Sequence, residues 1–591
     1  MNGIISFCKK FLLILVLISS CQMPENKSVQ TSQTSKDRTW WKEAVVYQIY
    51  PRSFKDSNGD GVGDLKGIIS KLDYIKSLGI DVVWLNPVYA SPNDDNGYDI
   101  SDYRDIMKEF GTMEDFDNLL KGMHDRGIKL VMDLVVNHCS SEHPWFIKSR
   151  SSRDNPYREY FHWWPAEKGK PAERFSFFDV NNDAWAYDSL TDSYYLHYFS
   201  VKQPDLNWEN PKVRKEVYDM MNFWFDKGID GFRMDVIPFI SKDTTFPALP
   251  AEYNGDMIRY YANGPHLHEY LQEMNREVLS KYDIMTVAEG AGITYREALD
   301  FVDPERKELN MAYHFDGMNI GYLPDQFKVM DPEGYDLLEF KKVYTLWDSI
   351  FEERGWGTIY LGNHDQPRMV TRWGNDSAEF RELSSKMLTT FLLTMRGTPY
   401  YYYGDEIGMA NIKFDRIEDY RDIETINRYE QVKGRGGDLE KFLEAQKISA
   451  RDNGRTPFQW DDSPNAGFTA GTPWLKVNPD HVSVNAAAQE HDPNSVLNYF
   501  RKLISLRKNN LTLVYGKYEL LDRDNPDVYC YTRSLNGETF LTMLNFKFQI
   551  STFKVDIDTG IDTVLAHNYP DPPSGNVLRP YEAVVYKLKA K

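Results

Sequence analysis

The sequence is poor in cysteine and has no excess of positive charge. Only four cysteines occur in 591 residues, Cys8, Cys21, Cys139 and Cys530. This spacing excludes a disulfide framework and the paired-cysteine pattern of a zinc site. The formal net charge of −19 argues against a nucleic-acid-binding protein, because phosphate contacts require clustered lysine and arginine. A neutral oligosaccharide is a compatible substrate, although solubility alone also accounts for the charge.

Long apolar runs are also missing, apart from one short run at the amino terminus. Two lysines precede it, and it is too short to span a membrane as a stable helix. Residues 1–21 therefore predict a signal peptide. Its end, Ile18-Ser19-Ser20-Cys21, resembles a bacterial lipobox, in which the cysteine is lipidated; the alternative is a cleaved signal without a lipid. Residues 22–39 predict a flexible tether, so we expect an exported periplasmic or cell-surface lipoprotein.

Apolar, strand-like runs alternate with amphipathic segments along most of the chain. Eight runs rich in Val, Ile, Tyr or Phe lie at residues 45–50, 81–86, 129–135, 231–236, 283–288, 311–315, 357–361 and 399–403. Eight strands with helices between them predict an α/β fold, the (β/α)8 TIM barrel, more than an open sheet. We place this barrel at residues 40–139 and 211–515.

Two segments do not follow the barrel pattern. Residues 140–210 are dense in aromatic residues and too long for a loop, so they predict a subdomain inserted after strand 3. Residues 516–591 alternate short strands with turns, which predicts a C-terminal antiparallel β domain.

Polar side chains stand where four of the predicted barrel strands end. These residues are His138, Arg233, Asp235, Glu289, His364 and Asp365. Active sites of such barrels lie at the C-terminal ends of the strands. Retaining hydrolysis of a glycosidic bond needs two carboxylates about 5–5.5 Å apart. One polar residue at a strand end is ordinary, but four such ends together are hard to explain as structure alone and predict an active site.

These segments resemble, in order, the four signature regions of the α-amylase superfamily of glycoside hydrolases. A fifth motif, Gln203-Pro204-Asp205-Leu206-Asn207, matches in the predicted insertion. Within the superfamily the chain is most similar to the oligo-1,6-glucosidases, through residues 203–214, 228–242 and 451–460. The resemblance implies an exo-acting, retaining α-glucosidase that removes terminal α-1,6-linked glucose from short oligosaccharides. We expect a monomer with no organic cofactor and no nucleic-acid partner.

The same resemblance implies the catalytic roles. Asp235 matches the nucleophile, and Glu289 matches the general acid and base. Asp365 matches the third carboxylate, which holds sugar hydroxyls. Arg233 is expected to keep Asp235 ionised by charge pairing.

Further matches describe the subsite −1 that holds the glucose. His138 and His364 are expected to donate hydrogen bonds to sugar hydroxyls. Asp95 and Tyr98 match residues that close this subsite. Arg455 matches the arginine that pairs with Asp95, an arrangement that makes the relatives exo-acting. A surface salt bridge is the alternative for this last pair.

The loop from Asp56 to Asp64 carries acidic or amide side chains at alternate positions, like the start of an EF-hand, but no glutamate stands at the twelfth position. The resemblance implies a structural Ca²⁺ or Mg²⁺ here; the alternative is a hydrogen-bonded turn. The implied ligands are the side chains of Asp56, Asn58, Asp60 and Asp64 and the carbonyl of Val62.

Two positions bear on substrate preference. Val236 follows the nucleophile, and valine there goes with α-1,6 preference in relatives, although it could simply fill space. Gly290-Ala291-Gly292 departs from the Met and Pro usual in relatives and leaves the leaving-group preference open. The alternatives are therefore an α-1,4-preferring α-glucosidase, a sucrose isomerase or transglucosylase, and a trehalose-phosphate hydrolase. A non-catalytic scaffold is disfavoured because the three carboxylates are kept.

Overall fold

The computed structural model describes residues 38–253, 256–324, 326–352, 354–555 and 560–590. The predicted signal peptide, the lipobox with Cys21 and nearly all of the predicted tether lie outside these ranges. No helix in the described part of the chain combines the length and the apolar character that a membrane crossing requires.

Eight parallel strands form the central sheet. In chain order they are β1 (Val46–Ile49), β2 (Val82–Leu85), β3 (Lys129–Val135), β4 (Gly231–Asp235), β5 (Met285–Gly290), β6 (Met311–His314), β7 (Thr358–Ile359) and β8 (Thr398–Tyr402). They pair in the order β6-β5-β4-β3-β2-β1-β8-β7. A parallel bridge between Ala312 in β6 and Gly357 beside β7 joins the two ends. The predicted TIM barrel is confirmed.

Helices cover the outside of this barrel, which explains why its strands are apolar on both faces. The longer ones are Met113–His124, Pro211–Lys227, Leu267–Glu277, Leu337–Phe351, Arg381–Thr394 and Val496–Lys508. Two others, Ile423–Gly434 and Leu439–Ser449, pack against each other beside the cavity. Helix Pro211–Lys227 shows how the sequence sets their ends. The Asn210 side chain caps its first turn, proline occupies the first position, and Gly228 ends it at φ 106°.

One predicted strand is displaced. The sequence predicts the fifth strand at residues 283–288, but β5 spans Met285–Gly290. Asp283 instead lies at the surface, where its carboxylate accepts a hydrogen bond from the Trp40 indole. The shift puts Glu289 inside the strand, directly opposite Tyr313 of β6.

The two segments outside the barrel pattern form small antiparallel sheets. Between β3 and helix Pro211–Lys227, the sheet consists of Trp163–Pro165, Ser193–Leu196 and Trp185–Asp188. The C-terminal sheet has the spatial order Lys517–Leu521, Val528–Leu535, Glu538–Asn545, Ala583–Leu588 and Ile561–His567. The buried Arg533 joins it to the barrel side, donating to the carbonyls of Thr394 and Leu513.

Candidate active site

A cavity of about 670 Å³ lies at the C-terminal ends of the barrel strands. Eight of the ten residues predicted to act on or contact the sugar line it: Asp95, Tyr98, His138, Asp235, Val236, Glu289, His364 and Asp365. Arg233 and Arg455 lie behind this wall, each hydrogen-bonded to a residue in it. The barrel therefore brings together residues that are up to 360 positions apart in the chain, counted from Asp95 to Arg455.

Arg233 is the buried centre of the catalytic group. Its Nη1 lies 2.6 Å from Asp235 Oδ1 and 2.8 Å from Asp133 Oδ1, and its Nη2 lies 2.5 Å from Glu289 Oε1. Nε and Nη2 also donate to the Tyr313 hydroxyl at 2.9 and 2.6 Å. A single guanidinium thus orients the predicted nucleophile and the predicted acid together.

Three carboxyl groups share this one cation. Burial raises the pKa of Asp235 well above its usual value; Arg233 opposes the rise, whereas the charges of Glu289 and Asp133 add to it. Burial likewise raises the pKa of Asp133 to about 6, against the attraction of Arg233. The three carboxyls therefore repel one another, and Arg233 is the charge that favours the ionised form of Asp235, as predicted from the sequence, without outweighing its burial.

Asp133 and Tyr313 were not assigned a role from the sequence. Asp133 stands directly opposite Arg233 in the ladder between β3 and β4, and it also accepts a hydrogen bond from the Trp84 indole at 2.9 Å. The sequence did contain a signal for Asp133, because an ionisable residue inside an apolar strand is rarely buried unless another group pairs with it. Tyr313 carried no comparable signal.

Val236 has an unusual backbone. Its φ of 33° and ψ of 38° place it in the left-handed region, which is disfavoured for a β-branched residue. This conformation directs its amide to Glu289 Oε2 at 2.8 Å. Both oxygens of Glu289 are therefore held by donors, one from Arg233 and one from Val236, while the Val236 side chain lines the cavity.

His364 is arranged as a neutral hydrogen-bond donor. The Gln48 amide lies 2.8 Å from its Nδ1, which leaves Nε2 directed toward Asp365 Oδ2 at 3.4 Å. Burial lowers the pKa of His364 to about 3. The Tyr98 ring stacks on the imidazole with a centroid distance of 5.3 Å. Burial also lowers the pKa of His138 to about 3, so both predicted sugar-contacting histidines are uncharged.

The predicted pairing of Asp95 with Arg455 is wrong. Arg451 Nη2 lies 3.6 Å from Asp95 Oδ1, whereas Arg455 donates to the His364 carbonyl at 2.7 Å and to Asp365 Oδ1 at 3.1 Å. The reason is local, because residues 451–453 form a 3₁₀ turn that turns Arg451 into the cavity and Arg455 behind it. Burial raises the pKa of Asp95 to about 7, although Arg451 and Arg455 attract its charge.

The pKa of Asp365 is shifted in the opposite direction from that of Asp95. Burial by itself would raise its pKa, but the guanidinium groups of Arg451 and Arg455 outweigh this and hold the pKa well below the usual range. Asp365 is therefore an ionised acceptor beside the neutral donor His364. This pair suits recognition of adjacent sugar hydroxyls.

In the loop 56–64, hydrogen-bond donors already contact both carboxylate oxygens of Asp56. Asp56 Oδ1 accepts from the amides of Asn58 and Gly59, and its Oδ2 accepts from Gly61 and from the Thr469 hydroxyl. Within the described ranges, no group of three or more His, Cys, Asp or Glu side chains is arranged to hold a metal. The predicted metal ligands are all oxygen atoms, which Ca²⁺ and Mg²⁺ prefer. No contact of the described residues tests whether a metal binds, so the metal site stays a prediction.

Comparison with known proteins agrees with this geometry. The family model for the α-amylase catalytic domain matches residues 48–516. The oligo-1,6-glucosidase of Parageobacillus thermoglucosidasius is 55% identical, covering 94% of this chain and 100% of that protein. The oligo-1,6-glucosidase of Bacillus cereus is 53% identical with the same coverage. Among solved structures, the trehalulose synthase MutB from Pseudomonas mesoacidophila MX-45 has a TM-score of 0.90 and 46% identity, covering 93% of this chain and 100% of that one.

The prediction of an exported, lipid-anchored protein is wrong on these comparisons. The two oligo-1,6-glucosidases, and a probable oligo-1,6-glucosidase of Bacillus subtilis that is 46% identical, give no support to an exported lipoprotein. The amino-terminal pattern that led to the prediction lies outside the described residues.

Proposed function

The chain belongs to the α-amylase family of glycoside hydrolases, and from this premise we propose that it is an exo-acting, retaining α-glucosidase. Its substrates are isomalto-oligosaccharides and related short α-glucans, from which it removes the terminal α-1,6-linked glucose, acting as a monomer. The observation that carries the proposal is the bridge that Arg233 makes between Asp235 and Glu289 in the wall of the cavity.

In the first step, Asp235 attacks the anomeric carbon. Arg233 occupies Oδ1, which leaves Oδ2 to form the glycosyl ester as the bond to the leaving oxygen breaks. Glu289 gives its proton to that oxygen. Because Arg233 and the Val236 amide hold both Glu289 oxygens in the free enzyme, proton delivery exchanges one of these contacts for the substrate.

In the second step, Glu289 acts as a base. It removes a proton from water, whose oxygen attacks the anomeric carbon and releases Asp235. Two inversions give net retention, so an α-linked substrate yields α-glucose first. His364 and Asp365 hold the sugar hydroxyls in both steps, as a neutral donor and an ionised acceptor.

Exo-action is supported by the far wall of the cavity. Asp95 is buried, with its Oδ2 3.1 Å from the Gln203 amide and its Oδ1 facing Arg451. A carboxylate and a guanidinium that meet there present an acceptor and donors to the terminal hydroxyls. We infer that this pair also blocks a further sugar beyond the terminal glucose.

A sucrose isomerase is the second candidate, because MutB is so similar in structure. The loop after β7 argues against it, because the arginines of this loop do not reach the part of the cavity where the second sugar would lie. Arg368 donates to the Tyr403 and Thr456 carbonyls. Arg372 donates to the Tyr322 hydroxyl, to the Gln366 side chain and to two backbone carbonyls. Both are buried, and neither lines the cavity where a second sugar would lie.

The Gly290–Gly292 segment borders the leaving-group side. A Cβ at Gly290 would meet the Tyr313 carbonyl oxygen at 2.5 Å and Ile293 Cδ1 at 2.8 Å. Ile293 therefore occupies the space next to Glu289 that a side chain at 290 would take. Gly292, at φ 75°, would meet the Ile258 carbonyl oxygen at 2.6 Å, so glycine there lets helix Met257–Ala262 form part of the wall.

We expect isomaltose to be preferred over maltose, and Val236→Ala to narrow or reverse that preference. An α-1,6 bond adds a rotatable carbon that swings the leaving sugar away from the wall, whereas an α-1,4-linked ring would press on the branched Val236. Contacts of this size discriminate by roughly 1–3 kcal/mol, about 10–200-fold in kcat/KM. This preference is measured by comparing kcat/KM for isomaltose, maltose, sucrose and trehalose. Equal kcat/KM for isomaltose and maltose in the unmodified enzyme would refute the assignment, and isomaltulose as the main product from sucrose would favour the second candidate.

We also propose a structural Ca²⁺ or Mg²⁺ at the loop 56–64, supported by its alternating oxygen donors. The loop follows β1 and holds none of the cavity-lining residues. A metal would neutralise the carboxylates of Asp56, Asp60 and Asp64. Chelation should therefore lower the melting temperature with little change in the initial rate at 25 °C. Immediate loss of activity in the chelated but folded enzyme would show that the metal takes part in catalysis instead. An unchanged melting temperature would show that the loop holds no structural metal.

A further inference from the structure

We propose that Asp422 is a positioning residue of the sugar-binding cavity, which acts by fixing Arg451 between Asp365 and Asp95. The inference rests on the proposed function, because it assumes that the terminal glucose occupies this end of the cavity. Asp422 does not line the cavity, and no motif in the sequence pointed to it.

Asp422 is fully buried and uses its two oxygens for different purposes. Oδ1 accepts from Arg451 Nε at 2.9 Å and from Arg451 Nη2 at 2.5 Å. Oδ2 accepts from the amide and the hydroxyl of Thr425, and so caps helix Ile423–Gly434. The carboxylate therefore ties the Arg451 guanidinium to the first turn of a helix.

Arg451, held in place by Asp422, contacts three residues that line the cavity. Its Nη1 lies 3.0 Å from Asp365 Oδ1, its Nη2 faces Asp95, and its guanidinium lies 4.9 Å from the centre of the Phe178 ring. Asp365, Asp95 and Phe178 all line the cavity. The position of Arg451 therefore sets how two carboxylates and one ring meet the terminal sugar.

The other acidic neighbours of Arg451 cannot replace Asp422. Asp95 and Asp365 are themselves needed for the substrate, and Glu424, 3.4 Å from Arg451, already pairs with Lys328 at 2.6 Å. Without the Asp422 charge, Arg451 is free to move fully onto Asp365. It would then occupy the oxygen that a sugar hydroxyl requires, which weakens binding of the glucose.

The direct test is Asp422→Asn, which keeps the shape and one acceptor oxygen for the helix cap but removes the charge. A substrate-positioning group that is misplaced by about 1 Å can cost about 100-fold, so we expect KM to rise about 10-fold or more with a smaller change in kcat. The matched control is Thr425→Ala, which removes the hydroxyl that donates to Asp422 Oδ2 but keeps the backbone amide contact and every contact of Arg451. It should lower the melting temperature and leave KM unchanged.

A double-mutant cycle with Arg451→Gln separates positioning from folding. If Asp422 acts through Arg451, adding Asp422→Asn to Arg451→Gln should raise KM no further. An unchanged KM in Asp422→Asn, or independent effects in the double variant, would overturn the proposal. Calorimetric binding of glucose gives the same comparison without turnover. It still tests Asp422 if isomaltose is not hydrolysed, a result that would defeat the proposed function alone.

Discussion

Asp235→Asn is expected to lower kcat for isomaltose by roughly 10⁴-fold or more, because an amide cannot form the glycosyl ester. The melting temperature should not fall. Asp235 is one of three buried carboxyls around Arg233, and the charges of Glu289 and Asp133 raise its pKa, so a neutral side chain relieves repulsion. Steady-state rates and thermal unfolding of the same preparation measure both effects.

Glu289→Gln is the companion variant, and it distinguishes the acid from the nucleophile. It should lose most of its activity on isomaltose but keep more on 4-nitrophenyl α-glucoside, whose leaving group needs little protonation. Asp235→Asn should be inactive on both substrates. Turnover of isomaltose within tenfold of the unmodified enzyme for Asp235→Asn would contradict the assignment of the nucleophile.

Arg233→Met is expected to have the largest effect on stability. It leaves Asp133, Asp235 and Glu289 buried without their shared counter-charge, and removing one partner of a buried ion pair destabilises a protein by about 3–5 kcal/mol. Activity should fall as well, because nothing then orients the two catalytic carboxyls. Urea unfolding gives the change in the free energy of unfolding.

Two further variants provide controls for that prediction. Arg233→Lys keeps the charge, but an ammonium group cannot hold three carboxyls and the Tyr313 hydroxyl in one plane. Its stability should therefore lie between that of the unmodified enzyme and that of Arg233→Met. Adding Asp133→Asn to Arg233→Met should restore part of the lost stability. If Arg233→Met unfolds at the same urea concentration as the unmodified enzyme, the shared-charge account of this site is incorrect.

The barrel and the ends of its strands were predictable because both follow from local patterns. Runs of β-branched and aromatic residues marked the strands, and barrel topology then requires their C-terminal ends to meet around one cavity. His138, Asp235, Glu289 and Asp365 needed nothing more to be placed together. The bounds of β5 were harder to predict, because the run at residues 283–288 begins with Asp283, which lies at the surface and bonds to Trp40.

Side-chain pairings across the cavity could not be predicted in the same way. Arg451 and Arg455 stand four residues apart, and only the direction of the intervening 3₁₀ turn decides which of them meets Asp95. Tyr313 and Asp422 become important through contacts with arginines 80 and 29 residues distant in the chain. Spacing within one motif carries no information on such contacts, because they depend on how separate elements pack.

The most direct test of the central claim is proton NMR of the first glucose released from isomaltose, recorded before the anomers equilibrate. A nucleophile at Asp235 and an acid at Glu289, held together by Arg233, predict that the α anomer appears first and β-glucose only later by mutarotation. β-Glucose as the initial product would contradict retention and, with it, the covalent role of Asp235.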